Sequence, residues 1–333
     1  MLKLSHRLFK VACLAGLSLA MVLSAVMVIR VHATGPAKFT EFPTPTPSSF
    51  PFDITRGPDN AHWFTESTGN NIARIRPSGA ITEFPIPTSN ATPTGIATGP
   101  DGALWFTENN PNANQIGRVT THGRFAEFPI PTPNSEAEDI TVGSDGALWF
   151  TEQAGSKIGR ITLSGIITEF PTPSPNSAPT GIVLGPDGAL WFTERSDPVN
   201  SIGRITTSGS VSEFPIPTPA SVATNITVGP DGALWFTEYG ANKIGRITTA
   251  GVITEFPIPT ADSGPVDIVS GSNNDLWFTE QNANQIASIS TDGSFQEFPI
   301  PTSDAAPGGI AQGNGGKLWF TELHASKIGE FKP

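Results

Sequence analysis

Beyond residue 33 the sequence has no cysteine and no methionine; Cys13 is the single cysteine among 333 residues. Disulfides therefore hold nothing together in the body of the chain. Histidine is nearly as scarce. His6 and His32 belong to the N-terminal segment, His62 replaces Leu in a strand pattern, and His122 takes a turn position. Only His324 stands in a variable loop, where a lone histidine is usually solvated. No Ser-His-Asp arrangement, cysteine nucleophile, Gly-rich phosphate loop or zinc spacing occurs. Basic residues number 19 against 30 acidic ones, and 15 against 30 once residues 1–33 are set aside. That imbalance argues against nucleic acid and anionic lipid as partners and favours cations or basic ligands. No window sustains a 3.6-residue hydrophobic period, so long amphipathic helices are excluded as well.

What is present begins with a leader. Lys3, Arg7 and Lys10 precede the apolar run 11–29, and Val31-His32-Ala33 offers small residues for cleavage. This succession is secretory, so residues 1–33 read as a signal peptide and the mature protein as secreted, extracellular or periplasmic. The run is also long enough for an uncleaved anchor, the one route to a membrane that the sequence leaves open. Cys13 lies too early for a good lipoprotein site. Residues 34–333 form the domain, which we expect to be monomeric.

Glycine and proline number 34 and 32, a fifth of the chain. Without a period that composition would suggest disorder, but a period exists. WFTE recurs at Trp63, Trp105, Trp149, Trp191, Trp235, Trp277 and Trp319, which are all seven tryptophans, at intervals of 42 or 44 residues. EFP recurs at the same intervals from Glu41 to Glu297. Within a unit, TGIATG (94–99), ALWFTE (103–108), QIGRVT (115–120) and RFAEFPI (124–130) are β-branched and aromatic runs between Gly, Asp and Pro punctuation. Four strands in about 42 residues make a blade, so the sequence predicts an all-β, seven-bladed β-propeller with four antiparallel strands per blade. Trp and Phe of WFTE should face opposite neighbours. EFP appears once before the first WFTE and is missing after the last, so the N-terminal strand 38–43 should close the ring beside 326–331.

Residues present in every blade belong to the fold. The WFTE glutamates and the arginines of IGR are expected to form repeated charge pairs and caps, and the Asp of PDG to serve a tight turn. Function should lie where copies differ, on the face carrying the loops after WFTE and after EFPIPT. Blades two and four carry two extra residues there, in 109–115 and 195–201. At the start of each inner strand the pattern P-x-G-I is broken by Asp53, Asp139, Asn225 and Asp267, our candidate ligand-binding residues around the axial channel. Glu136 and Glu138 of blade three add carboxylates that could hold Mg²⁺ or Ca²⁺. The competing reading is that Asp and Asn only tolerate a backbone conformation that Gly fills elsewhere.

Units reading GPDGALWFTE and ANKIGRITTAGVITEFPIPT resemble the virginiamycin B lyase (streptogramin B lyase) family over 38–333. The resemblance implies a propeller whose long-loop face opens type B streptogramins by Mg²⁺-dependent elimination. It also implies a Tyr, two His and two Glu at positions held here by Phe52, Val266, Gly308, Ala306 and Leu323. None of these side chains takes a proton or binds Mg²⁺. The expected function is therefore a non-catalytic scaffold that binds a small molecule, protein or glycan across the long-loop face. The alternative is a lyase or metal-dependent hydrolase with its acidic site moved to blade three.

Overall fold

The structure, a computed structural model, describes residues 37–333; the signal-peptide and anchor readings lie outside the described residues. Twenty-eight strands form seven four-stranded antiparallel sheets arranged as a propeller. In blade one the strands run outward from the axis as Pro51–Arg56, His62–Glu66, Asn71–Ile75 and Ile81–Pro85. A short 3₁₀ turn at Asn314–Gly316 is the one helical element among the described residues, and no described helix is long and apolar enough to cross a membrane.

Ring closure follows the expected route, shifted by one residue. Lys38–Pro43 is the outer strand of blade seven and pairs with Lys327–Lys332, Phe39 opposite Phe331 and Phe42 opposite Ile328. Glu41 reinforces the seam, accepting from Thr302 N and Oγ1 at 3.2 and 2.7 Å and from Lys327 Nζ at 2.9 Å. The same clamp joins Glu83 to Thr46 in blade one and Glu169 to Thr132 in blade three, so closure uses the bond that the repeats already carry.

Each hydrophobic core lies between blades rather than inside one. Trp63 packs with Phe106, Trp105 with Phe150, and finally Trp319 with Phe64, so alternate residues of WFTE serve two neighbours. Burying both faces of a strand is what a ring of radially packed sheets requires. In the third strand, a Cβ on Gly117 would lie 2.0 Å from the Phe106 ring, which explains the glycine of IGR.

The expected charge pairs exist with different partners. The IGR arginines bind the turn aspartates, for example Arg118 to Asp101 at 2.7 Å and Arg160 to Asp145 at 2.6 Å. The same aspartates accept from the Trp105 and Trp149 indoles at 3.1 Å, while each guanidinium lies over its indole. The Asp of PDG is thus a turn residue and also an anchor. The WFTE glutamates, by contrast, are fully buried. Burial and the neighbouring EFP carboxylate push Glu108, Glu152, Glu194 and Glu238 up to about 8. Burial likewise pushes Glu66, Glu280 and Glu322 up to about 7. A carboxyl sunk beside another carboxylate keeps its proton because burial removes the water that would stabilise its charge; Lys157 and Lys243 oppose the shift of Glu152 and Glu238 without cancelling it.

Two outcomes follow from this packing. Removing residues 34–45 takes away the seventh outer strand; the truncated protein should melt lower and self-associate, read by scanning calorimetry and light scattering. The buried glutamates also set a pH dependence. Their contribution to stability is fully present below the ordinary value of 4.5 and is lost as pH rises through about 7–8. Asp101 and Glu41 act in the opposite sense. Against the pull of burial, Trp105 and Arg118 lower Asp101, and Lys327 and Thr302 lower Glu41, so their contribution disappears as pH falls. The melting temperature should therefore be higher at about pH 5 than at pH 8 and fall again below about pH 4.

Candidate functional site

The axial end of every blade carries a β-bulge between the first two strands, such as that between Pro51 and Ile54 in blade one. A bulge removes backbone groups from the ladder, and buried ones need other partners. The WFTE threonine supplies them. Thr65 Oγ1 accepts from Asp53 N at 3.1 Å and donates to the Thr94 carbonyl of the next blade at 2.8 Å. Thr151 does the same for Asp139 N and the Thr180 carbonyl. The circuit closes where Thr321 accepts from Gly309 N and donates to the Phe52 carbonyl.

The amide of the following isoleucine is satisfied by the ring aspartates. Asp53 accepts from Ile54 N at 2.7 Å and, with its other oxygen, from Ile96 N of blade two at 2.9 Å. Asp139 serves Ile140 and Ile182 in the same way, and Asp267 serves Ile268 and Ile310. Asn225 serves Ile226 alone, and its amide donates to Asp267. Three doubly used aspartates and one singly used asparagine thus satisfy all seven isoleucine amides. The blades served from a neighbour carry glycine, and those glycines have no room for a side chain. A Cβ on Gly95 or Gly181 would lie 2.7 Å from the Cα of Asp139 or Asn225. None of the four acidic or amide residues has a positive φ, so tolerance of a glycine-like conformation is not why they are there.

The long-loop mouth of the channel opens into a cavity of about 140 Å³. Phe52, Val266, Gly308 and Leu323 line one side, and Asp139, Glu138 and Arg195 another. Leu323 fills the space that Gly308 leaves: a Cβ at 308 would lie 2.3 Å from its Cδ1. Ala306 sits behind, its carbonyl accepting from Leu323 N at 3.2 Å. On the charged side, burial raises Glu138 to about 7, opposed by Arg195 and reinforced by Asp139 and Glu136. Glu138 Oε2 accepts from Asn109 at 2.8 Å. Burial raises Asp139 to about 6 and Asp267 to about 7, and Asp53 well above its usual value with help from the Asp267 and Asp139 charges.

The structure therefore brings Asp53, Asp139, Asn225 and Asp267 together at the cavity, but with their side-chain oxygens already engaged by backbone amides. Of the two blade-three glutamates, Glu138 lines the cavity and Glu136 does not. Among the described residues no three Asp, Glu or His side chains gather as a metal-binding group. With those oxygens committed to backbone amides, the donors present do not fit a Mg²⁺ or Ca²⁺ ion. His324 is exposed beside Asp304 at 3.3 Å, outside the cavity lining. The structure adds Arg195 and Asn109 to the site; each begins one of the two lengthened loops, and the 44-residue intervals are the sequence signal that marks them.

Four of the five positions of the family resemblance thus converge on one apolar wall, and Ala306 lies behind it. Beyond shared motifs, the virginiamycin B lyase family profile matches residues 24–167 and 113–333. The chain belongs to the virginiamycin B lyase family. A streptogramin B lyase structure is 44% identical, covering 89% of this chain and 97% of that one, with a TM-score of 0.85. Virginiamycin B lyase from Staphylococcus aureus gives 44% identity, 89% and 99% coverage and the same TM-score. A catalytically inactive His-to-Ala variant of that enzyme, determined with quinupristin, matches equally well. No curated protein sequence matches the chain significantly.

The ring assigns unequal structural weights to two neighbouring candidates. Asp139→Ala orphans two buried amides and Asn225→Ala one, at about 1–3 kcal/mol per orphaned group. Urea denaturation should show Asp139→Ala as the more destabilised; equal stability of both variants with wild type would return these residues to a ligand role.

Proposed function

We propose that this member of the virginiamycin B lyase family is an exported scaffold that binds a small molecule at the long-loop mouth without lyase chemistry. One observation carries the reading: Phe52, Val266, Gly308 and Leu323 form the wall where the resemblance calls for a tyrosine, two histidines and a glutamate. Elimination needs a base to take the proton beside the carbonyl and a positive centre to stabilise the enolate. The apolar wall supplies neither. It instead favours the hydrophobic part of a ligand, with Arg195 and Glu138 placed to orient polar groups.

A second reading, a lyase or hydrolase with a relocated acidic site, draws on Glu138. Its carboxyl, raised to about 7, would be a base matched to neutral pH. The two readings separate in one assay. The folded protein is incubated with a type B streptogramin at neutral pH, with and without saturating Mg²⁺, and ring opening is followed by mass spectrometry. We expect no appreciable turnover, since loss of a general base alone costs about two to four orders of magnitude in rate. Robust turnover abolished by Glu138→Gln would establish the second reading.

A further inference from the structure

The face of the disc opposite the channel mouth, formed by the PDG and SG-type turns, departs from the repeat in blades six and seven, where Ser288 and Glu330 replace the arginine, and carries a separate group of basic exceptions in blades one and two. Blade one carries Arg76 where blades two to six have a Thr or Ser whose hydroxyl caps its own turn, as Thr162 does for Ile166 N. Blade two carries His122 and Arg124 at positions held elsewhere by small, apolar or acidic residues. Arg56 ends the inner strand of blade one where no other blade has a charge. All four are exposed. In an acidic protein whose other IGR arginines are paired with turn aspartates, this sector is an unneutralised basic patch.

Between blades one and two the patch borders an open cleft of about 680 Å³, lined by Arg74, Arg76, His122, Thr121, Pro77 and Phe84 among others. Asp59 is the one carboxylate in the described lining, and it is already engaged. Its oxygens accept from the Trp63 indole at 3.0 Å and from Arg74 Nη1 at 3.2 Å. Arg74 differs from its counterparts. Arg118, Arg160, Arg204 and Arg246 each bond the turn aspartate through Nε at 2.6–2.7 Å. Arg74 uses only Nη1, at longer range, and its buried Nε has no partner. Its guanidinium lies beside the stacked Trp63 and Phe84 rings, 5.4 and 5.7 Å from their centroids. Arg76 forms no ion pair among the described residues.

We propose that this cleft is a second binding site, for the oxyanion group (carboxylate, sulfate or phosphate) of an acidic small molecule. Arg76 and His122 bind the anion from the two blades, Arg74 supports it from the floor, and Phe84 and Pro77 receive the organic body. Arginine suits such a group because its planar donors match two oxygens at once. The size of the cleft is that of an ordinary small-molecule site. The site is independent of the channel mouth, so it stands whether or not the opposite face binds or catalyses.

Titration calorimetry of the full chain with D-glucuronate, sulfate and inorganic phosphate, each at low salt, tests the assignment. Saturable binding of at least one probe is expected, weakening with added salt. It should weaken about tenfold or more in the Arg76→Thr/His122→Ser variant, which restores residues other blades carry and so preserves the fold. Glucuronate binding well above the inorganic ions would show that the organic body is held; equal binding would show that the oxyanion alone is read. Absence of saturable binding by all three probes, or equal binding by the double variant, overturns the proposal.

Discussion

Seven bulged strands converge on the axis of this molecule, and each leaves backbone groups that no ladder can satisfy. Unpaired buried amides cost about 1–3 kcal/mol each, so the ring assembles only if they find partners. The WFTE threonine handles one set by linking each blade to the next, from Thr65 to Thr321. Asp53, Asp139 and Asp267 handle the other by spanning two blades apiece. Because seven is odd, alternation of aspartate and glycine cannot close. Asn225 fills the mismatch: its amide donates to Asp267 where a second carboxylate would repel it.

This constraint shapes what the channel mouth can do. Its aspartates crowd one another and are drawn toward neutrality, but their oxygens are committed to the scaffold. Chemistry at the mouth must therefore come from the residues outside the ring. In this chain those are Phe52, Val266, Gly308 and Leu323 on one side, and Glu138, Asn109 and Arg195 on the other. The family's fold is preserved while this wall of the cavity is apolar.

The same division between scaffold and exception applies to the opposite face. There the repeat pairs each arginine with a turn aspartate and an indole, a neutral and self-contained unit. Blades one and two depart from it by adding cations without adding carboxylates, and Arg74 is displaced from the geometry of its four counterparts. Departures on both faces are local, because each blade contacts only its neighbours and tolerates change at its loops.

The periodicity of WFTE and EFP by itself determined the seven blades, the strand count, the sharing of Trp and Phe between neighbours and the use of the N-terminal strand to close the ring. Those follow from spacing and alternation, which are properties of a linear sequence. Tertiary structure alone decided the partners. Whether Glu108 meets a cation or another carboxyl, and whether Asp139 is shared with the amide of Ile182, 43 residues away, depends on groups that only the fold brings together. Asp53, Asp139 and Asp267 looked like local exceptions along the chain because a staple between blades has no signature within either one. Only the closed ring, with an odd number of members, shows why three aspartates, three glycines and one asparagine are the set that satisfies it.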